Sequence, residues 1–92
     1  MRVVLDHVVI GDIEVGFTLA FVDYAEPNLE GESSKLGSWD VHLEGLNEAT
    51  VFDFLGAEAT ITMRSADGTV YEGKGFLKRS HLFTGSGPLA CS

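Results

Sequence analysis

The chain has 92 residues, a formal charge of −8 and a single cysteine, Cys91. A chain of that size is one small domain, able to bury about 60–65% of its unfolded surface. One cysteine excludes a disulfide framework within the chain, and the acidic balance disfavours nucleic acid and anionic membrane as partners, because phosphate is held by Lys and Arg.

The opening run MRVVLDHVVI is interrupted by Asp6 and His7, and no small-residue cleavage site follows, so it does not read as a signal peptide. No apolar run approaches the roughly 20 residues needed to span a bilayer. The expectation is a cytoplasmic protein, or one assembled into a particle within the cytoplasm. Up to residue 58, twelve acids stand against only Arg2 and Lys35; beyond it, Arg64, Lys74, Lys78 and Arg79 outnumber Asp67 and Glu72. This split permits contact between copies, acidic part to basic part. The plainer reading is an acidic solvated surface.

In chain order, residues 3–10 and 13–23 predict a hairpin turning at Gly11-Asp12, with glycine at the first central position. Pairing across two loop residues sets Ile10 against Ile13, Val8 against Val15 and Val4 against Leu19. On the second arm Ile13, Val15, Phe17, Leu19 and Phe21 alternate onto one face. Asp6 then falls opposite Phe17, which predicts either a bulge near Asp6-His7 or a face open to water. Residues 24–38, with Pro27, two glycines, three serines and three glutamates, read as a long, mobile, acidic loop.

Residues 37–45 give a strand with Trp39, Val41 and Leu43 on one face and Asp40, His42 and Glu44 on the other. The segment 48–55 reads as a short helix, N-capped by Asn47, with Glu48 in its first turn and Gly56 ending it. Ala49, Phe52 and either Val51 or Leu55 would pack on the sheet. Val51, Phe52 and Phe54 also suit a strand, the competing reading.

The clearest element is the hairpin over 57–77. Asp67-Gly68 marks its turn, yet a two-residue loop would set the two arms against each other over which face is buried. A three-residue loop, Ala66 to Gly68, with Gly68 in a left-handed conformation, pairs Met63 with Tyr71, Ile61 with Gly73, Ala59 with Gly75 and Ala57 with Leu77. Gly73 and Gly75 leave a strip on which a ring such as Trp39 can pack. A last short strand over 81–84 precedes the breaker Gly85-Ser86-Gly87-Pro88. The sum is a mainly β, antiparallel fold of about six strands with one short helix, forming a small barrel or a two-layer sandwich. The expected core is Val15, Phe17, Leu19, Phe21, Trp39, Val41, Leu43, Phe52, Ile61, Met63, Tyr71 and Leu77.

Chemistry-bearing patterns are sparse. Asp40, His42 and Glu44 share a strand face, and Asp and His two apart can chelate a metal with His7 or His81 brought near; a solvated strand face is the plainer reading, since every second residue of a half-buried strand is polar. Cys91 is next to the last residue and is expected to fray. No nucleophile elbow, phosphate loop or dinucleotide fingerprint is present. Trp39 and Tyr71 could stack on a sugar or base, although Trp39 shares its face with Val41 and Leu43. No catalytic, cofactor-binding or metal residue is assigned.

The order W-x-V-x-L-E-G, a short acidic-capped helix, a strand, D-G-T-V-Y-E-G-K-G and F-T-G-S-G-P-L, over residues 37–89, resembles small β-rich proteins of tailed-bacteriophage and prophage structural regions. The resemblance implies a domain that packs against its own copies as a ring or tube and has no enzymatic role. It carries over no functional residue. Three readings follow: a non-enzymatic interaction or assembly domain acting on itself or another protein, a small-ligand or carbohydrate-binding module, and a metal-dependent enzyme built on Asp40 and His42.

Overall fold

The hairpin over 57–77 takes the predicted register. In a computed structural model, which describes residues 2–24, 35–36 and 38–91, strands β6 (Glu58–Ser65) and β7 (Val70–Arg79) pair Met63 with Tyr71, Ile61 with Gly73 and Ala59 with Gly75. The ladder ends at Glu58 and Phe76, so Ala57 does not pair with Leu77; Leu55 bridges Leu77 instead. The loop is three residues long. Ser65 N donates to Thr69 O at 2.9 Å, Gly68 N donates to Ser65 O at 3.0 Å, and Gly68 has φ 92°.

The remaining elements are β1 (Arg2–Ile10), β2 (Ile13–Glu14), β3 (Leu19–Tyr24), β4 (Lys35–Leu36), β5 (Trp39–Glu44), α1 (Glu48–Phe54), β8 (Leu82–Gly85) and β9 (Leu89–Cys91). Neighbouring strands run β1-β3-β5-β8-β7, and β6 joins β7 back to β1. All these pairings are antiparallel. Six strands therefore close into a barrel, which removes the long edges that a sheet of this size would otherwise expose. The short strands β2, β9 and β4 attach outside that ring.

Two irregularities decide which residues fill the barrel. Pairing of β1 with β6 shifts between Leu5 and His7, so Asp6 is the extra residue of a bulge. The bulge turns Asp6 and His7 outward together and leaves Leu5, Val8 and Ile10 buried. It resolves the conflict noted around Asp6. The second break lies at residues 16–18. Ile10 pairs with Ile13 as expected, and Val15 N donates to Val8 O at 3.0 Å. Beyond the break, however, Val4 pairs with Phe21, not Leu19. The inward residues of β3 are then Ala20 and Val22, which lie opposite the buried Leu43 and Val41. Leu19 is exposed, and Phe21 and Phe17 are half-buried. The expected core is corrected at those three positions and at Phe52, which is exposed, and gains Leu5, Val8, Ile10, Ala20, Val22, Phe83 and Leu89.

Trp39 is 3% exposed and lies flat on glycines. A Cβ built on Gly73 would stand 2.6 Å from the indole, and one on Gly85 would stand 2.3 Å from it. The indole Nε1 donates to Gly87 O at 2.8 Å, and the ring stacks against Phe83 with centroids 6.1 Å apart. The terminal G-S-G-P run thus makes the Trp39 pocket, then leads into β9. That strand holds Cys91 opposite Tyr71, so Cys91 is paired and half-buried, not frayed. The 24–38 loop is likewise shorter than expected. Tyr24 still belongs to β3, and Lys35 and Leu36 pair with Ala90 and Leu89. The rest of the loop, apart from Ser38, lies outside the described residues.

Candidate interaction surface

Alternating strand direction around the barrel puts the ends of β5 and β7 and the starts of β6 and β8 at one end. Helix α1 runs across that end from β5 to β6. Asn47 starts it as predicted: its Oδ1 accepts from Ala49 N at 2.8 Å and Thr50 N at 3.3 Å. Gly56, at φ 76°, follows it and donates its N–H to Leu77 O at 2.9 Å.

Of the residues expected to pack on the sheet, Val51 does, while Ala49, Phe52 and Leu55 do not. Val51 and Phe54, with Leu46 just ahead of the helix, pack against the core. Phe52 is 88% exposed and Leu55 is 52% exposed, while Ala49 is also exposed. The charges explain the orientation. Glu48 shares its side of the helix with Phe52, and Asp53 shares its side with Ala49. Keeping both carboxylates in water leaves Val51 and Phe54 to face inward. That spacing was the available signal for an exposed Phe52. Beside Phe52 is a hollow of about 400 Å³ lined by Leu46, Glu48, Val51, Phe52 and Ser80. Its apolar walls and the protruding ring form the candidate surface.

The other expected site residues are dispersed. Asp40, His42 and Glu44 do share the outward face of β5. His42 stacks on Phe21, ring centroids 4.7 Å apart, with its Nε2 4.0 Å from Asp23. Arg2 donates to both Asp23 oxygens at 3.1 Å and lies 4.2 Å above the Phe21 ring; its hydrogen bond holds the Asp23 carboxyl below its ordinary value. These contacts tie three strands together on the outer wall. His7 instead meets Glu14, 3.2 Å away, and His81 is exposed at the β7–β8 turn. Among the described residues no three His, Cys, Asp or Glu side chains are arranged to hold a metal. Trp39 and Tyr71, at 3% and 6% exposure, offer no open ring to a sugar.

Two smaller hollows, each about 290 Å³, lie along the wall. One gathers Asp6, His7, Glu14 and Phe17; the other runs past Thr60, Glu72, Lys74 and Pro88. Among the described residues no helix is long and apolar enough to cross a membrane. Comparison with protein-family models, with curated proteins and with solved structures finds no match.

Proposed function

We propose that this protein is a non-enzymatic interaction domain that assembles with copies of itself or with another protein, of the kind used in phage or mobile-element particles built in the cytoplasm. One observation carries the reading: a closed barrel that has buried its other large aromatics wholly or in part places Phe52, at 88% exposure, on an end helix next to an apolar hollow. A contiguous apolar feature of that kind marks a contact surface. The runner-up, a small-ligand or carbohydrate-binding module, rests on stacking by Trp39 and Tyr71, and both rings are inside. Light scattering at micromolar concentration is the test. Self-association is expected, and a strict monomer at every concentration and salt overturns assembly with copies of itself.

A further inference from the structure

We propose that the α1 end of the barrel is a two-fold interface with a second copy of this chain, in which Phe52 of each copy seats in the hollow between Leu46, Val51 and Ser80 of the other. This rests on the assembly reading and goes beyond it by naming the surface and its symmetry.

Three features of that end carry the inference. Phe52 is the most exposed of the large apolar side chains among the described residues. The hollow of about 400 Å³ lies directly beside it, so a half-turn about an axis through this end brings ring to hollow twice. Charges of both signs also meet here. Glu48 and Asp53 are on the helix, and Lys78 and Arg79 end β7 just before Ser80. All four are exposed, and none has an ion-pair partner among the described residues. Along the sequence these charges fall in opposite halves, which suggested head-to-tail contact. In the barrel they share one end, and a two-fold contact then sets each copy's acids against the other's bases.

Sedimentation equilibrium on the whole chain tests the proposal. The mass should level off at two copies. Phe52→Asp should weaken the dimer by more than about tenfold, because the ring is buried twice in the contact, and should leave the melting temperature unchanged at concentrations where the parent too is monomeric. The double variants E48K/D53K and K78E/R79E should each dimerise poorly alone. Mixed in equal amounts they should form a heterodimer tighter than either homodimer. Mass that keeps rising past two copies overturns the two-fold arrangement. A dimer indifferent to Phe52→Asp overturns this surface while self-assembly stands; a strict monomer overturns both this surface and self-assembly.

Discussion

Asp67 and Gly68 show how two residues hold a hairpin. The Asp67 carboxylate accepts from the Ser65 hydroxyl and from Thr69 N at 2.9 Å. Those bonds, the Ser65 hydroxyl first, hold its pKa at about 2, below the ordinary 3.8. A depressed carboxylate pKa means stabilisation that is complete above the ordinary value and lost as pH falls through the folded one. Asp67→Ala should therefore lower the melting temperature at pH 7, and its gap from the parent should close between about pH 4 and pH 2. A gap that stays constant over that range would mean the carboxylate is not the source. Gly68 is a backbone case. A Cβ there would meet nothing within 4 Å, but φ is 92°. Gly68→Ala should cost on the order of 1 kcal/mol through conformation alone, read by denaturant unfolding.

Helix α1 was legible in its start and stop, and in its facing only through the spacing of Glu48 and Asp53. Asn47 and Gly56 act locally, within a few residues, and so leave a mark in the sequence. Asn47→Ala should cost about 1 kcal/mol, since two amide donors lose their acceptor; an unchanged unfolding midpoint would show that the cap is dispensable. Which side of the helix faces in depends on the barrel beneath it. Strand β3 shows the same limit. Over residues 19–22 every side chain is apolar, so periodicity cannot choose between Leu19 with Phe21 and Ala20 with Val22. The choice is made across the sheet by Val41 and Leu43. By contrast, the 57–77 register could be derived on paper because its polar positions, Thr60 with Lys74 and Thr62 with Glu72, alternate without ambiguity.

At the scale of the molecule, barrel and sandwich could not be told apart from sequence, because closure lies in the pairing of β1 with β6, residues 51 to 60 positions apart that share no local signal. The assembled barrel also determines how association should respond to salt. Exposed charge pairs contribute only ~0–1 kcal/mol each, whereas burying a phenylalanine contributes about 1.5–3 kcal/mol. Assembly through the α1 end should therefore weaken only modestly from low to moderate salt. A steep loss would show that charge, not apolar contact, supplies the affinity.

The β1–β6 seam has a consequence for how the chain folds. The β6–β7 hairpin closes through a three-residue loop, while Leu5 must find Ser65 across most of the chain. Loop-closure entropy makes the distant pairing slower to form, and pairings of this kind lower folding rates. The order that follows is hairpin first and seam last, with the Asp6 bulge setting the register as the ring shuts. Until then the inner faces of β1 and β6 stand open, and the interval before closure is when two chains could exchange their first strands.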